Sequence, residues 1–209
     1  MRMEWIWLGL VTVIGYLIGS ISTAIIVGRI VAGDDIRSHG SRNAGATNAL
    51  RSYGKKAAIL VLVGDCLKAV VSVFIAIILS IIVDADKNFM IYGAGVGAAI
   101  GHNFPIFFGF KGGKGVLVST VVMLFVDWRI GLVVFVVSIA IMAITKYVSL
   151  GSVIGATLFF VLSLIFHFGE YVYLAFAFVL AGLLIVRHKD NIKRLIAGTE
   201  NKLGQKKSS

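Results

Sequence analysis

The sequence predicts an all-α, polytopic membrane protein: a bundle of seven transmembrane helices, some of them short, with the N-terminus outside and the C-terminus cytoplasmic. Three observations carry that expectation. Of 209 residues, 58% are hydrophobic and 14% charged, where a soluble domain carries roughly 25% charged residues. The mean hydropathy is +0.96, with a single proline in the chain. The apolar residues fall in long runs between short polar segments, and a span needs about 20 of them at 1.5 Å rise each. The chain reads as one integral-membrane domain over 1–209, with no separate soluble domain and a polar tail from 199 to 209 expected to fray.

The first run, Trp5–Gly28, is uncharged and longer than the roughly 7–15-residue core of a signal peptide. It therefore reads as a retained span. The remaining runs are Ala57–Val83, Asn88–Ile100 and a little beyond, Gly115–Val126, Ile130–Thr145, Ser149–His167 and Tyr171–Val186. The fourth and fifth are short and could be one span broken by Asp127-Trp128-Arg129. Charge argues for two. With seven spans and an outside N-terminus, all of the 20 Lys and Arg except Arg2, Lys87 and Arg129 fall inside. Merging the two runs would export the basic tail from Arg187 to Lys207, against the positive-inside bias. The net charge of +10 is thus a mark of orientation and predicts no nucleic-acid partner.

Gly93, Gly95, Gly97 and Gly101 in the third run, and Gly151 and Gly155 in the sixth, predict close helix packing. The single cysteine, Cys66, excludes an internal disulfide and a four-cysteine metal site, and reads as a packing residue. Asp65 and Lys68 lie three apart inside the second run. Charges at membrane depth are expensive, so a structural ion pair facing the interior is favoured over a substrate contact.

With this threading, Asp34–Lys56, Gly101–Gly115, Thr145–Ser152 and Arg187–Glu200 all reach the cytoplasmic face. In HGSRNAGATNALR (39–51), Gly40 and Gly45 let backbone N–H groups turn inward to bind an anion. Ser41, Asn43, Thr47 and Asn48 add neutral donors, and Arg51 adds a fork suited to phosphate. The competing expectation is a capped turn, with Asn43 or Thr47 starting the second helix. In GHNFPIFFGFKGGKG (101–115) the GGKG stretch fails the Walker pattern, because no glycine lies five positions before Gly113 and no Ser or Thr follows Lys114. What remains is Lys111 and Lys114 with Gly112, Gly113 and Gly115 at a helix start, a second anion site by the same physics. Lys111 alone could be a lipid-headgroup anchor. In RHKDNIKRLIAGTE (187–200), His188 and Asn191 share a helical face. A lone boundary His is more often structural, and Lys189, Lys193 and Arg194 suit anionic lipid. No metal-ligand cluster, no glycine-flanked nucleophilic serine and no His-x4-Asp pair is present: Ala44, Phe107, Val172 and Lys193 stand where the acid would be.

Together, DIRSHGSRNAGATNALR (35–51), GHNFPIFFGFKGGKG (101–115), TKYVSLGS (145–152) and RHKDNIKRL (187–195) resemble the bacterial acyl-phosphate:glycerol-3-phosphate acyltransferase family known as PlsY. The resemblance runs from Trp5 to about Glu200. It departs at Arg42, where the family often has Gly, so that Arg42 is expected to be short of side-chain space. The resemblance implies a seven-helix enzyme of the bacterial cytoplasmic membrane, its active site at the cytoplasmic boundary. It implies acyl transfer from acyl phosphate to the 1-hydroxyl of sn-glycerol 3-phosphate, giving lysophosphatidic acid and inorganic phosphate, with no cofactor. By motif position, Ser41, Asn43, Gly45, Thr47 and Asn48 would surround acyl phosphate. Arg51, Lys114, His188 and Asn191 would bind or orient glycerol 3-phosphate, with Gly112 and Gly113 in the loop and Ser149 and Ser152 as further binding candidates. Ser41, Arg51, Lys114, His188 and Asn191 would be the catalytic set. Membrane lipid is the remaining partner. The rival expectation is a transporter of an organophosphate, disfavoured by the missing inverted repeat; a lipid-binding scaffold would explain the basic tail but not Lys114.

Overall fold

The computed structural model describes residues 2–204, which are helical with no strand among them. The chain divides into two compact units, Met1–Val126 and Asp127–Ser209.

In the first unit, the apolar run expected as one span is two helices, α1 (Arg2–Gly19) and α2 (Thr23–Ala32). They are parted at Ser20-Ile21-Ser22, where the amide of Ile25 turns back to the Ser22 carbonyl instead of that of Ile21. Helix α3 (Ala46–Ile82) starts eleven positions before the expected run; it is interrupted at Gly54, whose φ of 85° lies in the left-handed region open to glycine. A short helical piece therefore precedes the long apolar one. Asp86 caps α4 (Lys87–Asn103), accepting from the Phe89 amide at 2.7 Å. Helix α5 (Val116–Val126) closes the unit.

Glycines set the contact between α1 and α4. A Cβ on Gly97 would lie 2.1 Å from the Thr12 carbonyl oxygen, and one on Gly101 2.1 Å from that of Tyr16. From the other side, Gly15 and Gly19 stand equally close to Ala94 and Ala98. The partners rise together along both helices, so α1 and α4 run parallel, in small-residue contact at four-residue spacing. Beneath them Val11, Ala76, Met90 and Ala94 form one buried cluster. The outer face of α3 carries exposed Ile59, Val63, Leu67 and Phe74. In water this would be a costly patch; in a bilayer it faces its natural solvent.

The second unit holds α6 (Trp128–Thr145), α7 (Val148–Phe166), α8 (Tyr171–Arg187) and α9 (Lys189–Ile196). Asp127 caps α6 through the amides of Arg129 and Ile130 and pairs at 3.0 Å with His167, which stacks on Tyr173 at 4.0 Å. Gly151 and Gly155 of α7 press on Met142 and Ser138 of α6. Helix α9 bends from α8 by 57°.

All seven expected runs are helical. Among the described residues, four helical stretches have the length and apolar character to cross a membrane: Glu4–Ala32, Ala46–Ile82, Trp128–Thr145 and Val148–Phe166. The bent pair Tyr171–Arg187 and Lys189–Ile196 makes a fifth if taken as one. The chain is a multi-pass membrane protein.

Candidate active site

The first motif is a loop pinned by the helix that follows it. Its turn Ile36–Ser38 is capped by Asp35, which accepts from the Arg37 amide at 2.9 Å. Asn48, in the first turn of α3, holds the rest. Its amide nitrogen donates to the Ile36 and His39 carbonyls at 3.2 and 3.0 Å, and its amide oxygen accepts from the Ser41 N–H at 2.9 Å. Asn48, expected beside substrate, therefore spends its polar atoms on the loop and sets where Ser41 stands. Gly40 lies at φ 55°, and a Cβ there would sit 2.3 Å from the Asn48 amide oxygen. Gly45, neither Asn43 nor Thr47, is the residue that starts α3, and no side chain caps the first amides of the helix. Asn43 packs its amide 3.0 Å from where a Gly45 Cβ would be. Thr47 and Arg51 are one turn apart on the same face of the short helix before Gly54. Arg42 is exposed, not crowded as expected. Its φ of 59° is what a glycine would suit there.

The second motif folds back on the end of α4. The Gly112 amide donates to the Asn103 carbonyl at 3.2 Å, and the Gly113 amide to that of His102 at 3.0 Å. The seam tolerates no side chain. A Cβ on Gly112 would stand 2.0 Å from the His102 carbonyl oxygen, and one on Gly113 2.1 Å from His102 Nε2 and 2.6 Å from the Ala44 carbonyl oxygen. Gly113 thus touches both motifs at once. Lys114, half-buried, follows it, and Gly115 at φ 79° turns the chain into α5.

Arg37 clamps the two loops together, a role the sequence did not announce. One of its terminal nitrogens donates to the Phe108 and Lys111 carbonyls at 2.6 and 3.0 Å, while its other donors grip Asp35. That guanidinium holds the Asp35 carboxyl below its ordinary value. Residues 41–51 and 112–115 are thereby assembled within the first unit.

In the second unit, Ser149 in the first turn of α7 and Asn191 on α9 converge on a residue absent from the expected site, Glu200. Ser149 Oγ and Asn191 Nδ2 donate to one carboxylate oxygen at 2.7 and 2.6 Å, and Arg194 Nε to the other at 2.7 Å. Burial raises the Glu200 carboxyl's pKa, but the bonds from Asn191, Ser149 and Arg194 outweigh it and bring it below its ordinary 4.5. His188 is buried, its Nδ1 2.8 Å from the Leu184 carbonyl oxygen, so that nitrogen carries the proton. That backbone carbonyl orients the ring. Ser152 donates its hydroxyl to the Val148 carbonyl of its own helix at 2.9 Å. Beyond Thr199, the Leu203 amide donates to the Lys146 carbonyl at 2.8 Å; residues 205–209 lie outside those described. Among the described residues no group of three or more His, Cys, Asp and Glu is arranged to hold a metal ion.

The chain was compared with known proteins. The family profile described as glycerol-3-phosphate acyltransferase matches residues 9–198. A glycerol-3-phosphate acyltransferase of Thermoanaerobacter sp. (strain X514) is 44% identical over 197 residues, covering 94% of this chain and 96% of its own. That of Clostridioides difficile (strain 630) is 44% identical over 200 residues, covering 95% and 96%. Among solved structures, the glycerol 3-phosphate form of PlsY, an integral membrane glycerol 3-phosphate acyltransferase, superposes with a TM-score of 0.82 at 35% identity, over 93% of this chain and 94% of that one. The lysophosphatidic acid form gives 0.78 at 34% identity, with the same coverage. Matched along nearly its whole length in sequence and in fold, this chain belongs to the glycerol-3-phosphate acyltransferase family.

Proposed function

We propose that this protein transfers a fatty acyl group from acyl phosphate to the 1-hydroxyl of sn-glycerol 3-phosphate, giving lysophosphatidic acid and inorganic phosphate. It does so at the cytoplasmic face of a bacterial plasma membrane that it crosses seven times, N-terminus outside. The observation that carries the assignment of the site is the seating of Gly112 and Gly113 against both the end of α4 and Ala44 of the first motif. That seam brings the loop of Lys114 next to the loop of Ser41, two backbone-lined concavities for two phosphate-bearing reactants.

Acyl phosphate is a mixed anhydride with a good leaving group. The hydroxyl oxygen of glycerol 3-phosphate bonds to the acyl carbon, the bond from that carbon to the phosphate oxygen breaks, and phosphate leaves with the electron pair. The protein's work is positioning and charge neutralisation. Ser41, Asn43, Gly45 and Thr47 face acyl phosphate, with Asn48 holding their loop. By motif position, Arg51, Lys114, His188 and Asn191 are assigned to glycerol 3-phosphate, with Ser149 and Ser152 as further binding candidates. The hydroxyl proton passes to an oxygen of the donor phosphate. The alternative base is His188, whose Nδ1 is held by the Leu184 carbonyl. A His188→Ala loss of about ten-thousand-fold in single turnover, rescued by imidazole, would select His188 over the substrate.

The deciding experiment supplies acyl phosphate, acyl-CoA and acyl carrier protein separately to purified protein with glycerol 3-phosphate. Acylation from acyl phosphate alone is expected; preference for either thioester overturns the donor. For the topology, an impermeant thiol reagent added from outside should label a cysteine at position 86 and not one at position 202.

A further inference from the structure

Beneath the glycine loop, inside the first unit, lies a buried charged cluster. Lys68 Nζ sits 2.8 Å from Asp65 Oδ1, 2.9 Å from His102 Nδ1 and 3.1 Å from the Ile21 carbonyl oxygen. All three side chains are at most 8% exposed. The Ile21 carbonyl is available because α1 and α2 part at Ser20-Ile21-Ser22, which leaves it without a helical amide. With Lys68 an ammonium, which has three protons and no lone pair, His102 Nδ1 accepts in their contact, although it also lies 3.5 Å from Asp65 Oδ1. The proton of the neutral imidazole is then on Nε2, the atom that borders Gly113. The same residue's carbonyl accepts from the Gly113 amide.

We infer that Asp65, Lys68 and His102 form a positioning relay for the acyl-transfer site: Lys68 fixes the tautomer and tilt of His102, and His102 sets the height of the Gly112–Gly115 loop against Ala44. A structural ion pair alone would need only Asp65 and Lys68. The third bond, to a ring whose Nε2 borders Gly113 of the glycine loop, makes the pair part of the site. None of the three touches substrate.

The relay rests on the proposed binding of glycerol 3-phosphate at the Lys114 loop, and the test separates the two. His102→Asn keeps an acceptor for Lys68 but removes the ring edge at Gly113; His102→Gln reaches Gly113 but withdraws the acceptor. Asp65→Asn with Lys68→Gln removes both charges and retains hydrogen-bonding groups. Each full-length variant is purified in detergent, its melting temperature taken, and KM and kcat measured for both substrates beside Lys114→Met. Positioning predicts that KM for glycerol 3-phosphate rises about tenfold or more in all three, while kcat and KM for acyl phosphate change by less than about threefold. A lowered melting temperature with unchanged KM in the folded fraction overturns the relay, as does an unchanged KM in His102→Asn alone. If none of the three variants folds, the cluster serves folding only and the relay falls. An unchanged KM in Lys114→Met sinks the loop's proposed substrate and leaves the relay to stand or fall on its own variants.

Discussion

The two units organise their polar groups in opposite ways. In the first, much of the loop seam is backbone, and two charged side chains brace it from behind: Arg37 on the Phe108 and Lys111 carbonyls, Lys68 on that of Ile21. In the second, one carboxylate, Glu200, gathers Ser149, Asn191 and Arg194. A site shaped by backbone is limited by sterics, since its shape fails when anything is added at the seam. A site shaped by a carboxylate hub is limited by charge, since it fails when a proton is added.

The largest effect is expected at the seam. Gly113→Ala forces a Cβ against His102 Nε2 and the Ala44 carbonyl, and should lower activity by about a hundredfold or more. Gly109→Ala is the counterpart: its φ is 68° but nothing lies within 4 Å of the added atom. It should cost about 1–2 kcal/mol of backbone strain and keep activity within about threefold. Equal losses at the two positions would break the steric half of the comparison.

Glu200→Gln should lower kcat/KM by roughly tenfold to fiftyfold, because the bonds to a charged acceptor become bonds to a neutral one. Glu200→Asp should fail to restore all three, its carboxylate sitting one methylene short. The same hub predicts a pH dependence. The folded pKa of Glu200 is depressed below 4.5, so its contribution to stability is complete above that value and is lost as pH falls through the folded pKa. Thermal unfolding followed across that acid range should show the loss in the native protein and a flatter profile in Glu200→Gln. A parallel decline in both would remove Glu200 as the titrating group.

Smaller effects sharpen the contrast. Arg37→Lys cannot serve Asp35 and two carbonyls at once, and should cost about fivefold to tenfold in kcat/KM with the KM for glycerol 3-phosphate raised. Arg42→Gly should change least. Relief of left-handed strain is about 1 kcal/mol, and the glycine's added unfolded-state freedom offsets most of it. A melting temperature moved by only a few degrees with activity unchanged is expected; a large gain in activity would mean the arginine side chain obstructs the site.

The seven apolar runs and the four motif segments were legible because each is a property of adjacent residues. Hydropathy is a sum along the chain, and a glycine-rich anion loop declares itself in a dozen positions. That the third run packs closely was legible in Gly93, Gly95, Gly97 and Gly101; that its partner is α1 came only with the structure. The break inside Trp5–Gly28 was not legible, since Ser20-Ile21-Ser22 carries no charge and two uncharged serines do not by themselves end a span. Nor was the assignment of Asn48 to its own loop, because a carboxamide beside a phosphate motif looks the same whether it faces substrate or backbone.

Sequence by itself determined the membrane class, the apolar segments, the loops proposed to carry the chemistry and the family. Tertiary structure alone decided which groups answer the buried polar atoms. Lys68 meets a carbonyl 47 residues away, Arg37 one 71 residues away, and Ser149 a carboxylate 51 residues away. The physical reason is that a polar atom removed from water must find a partner, and where helices break and cross, that partner is set by proximity in space and leaves no pattern in local sequence.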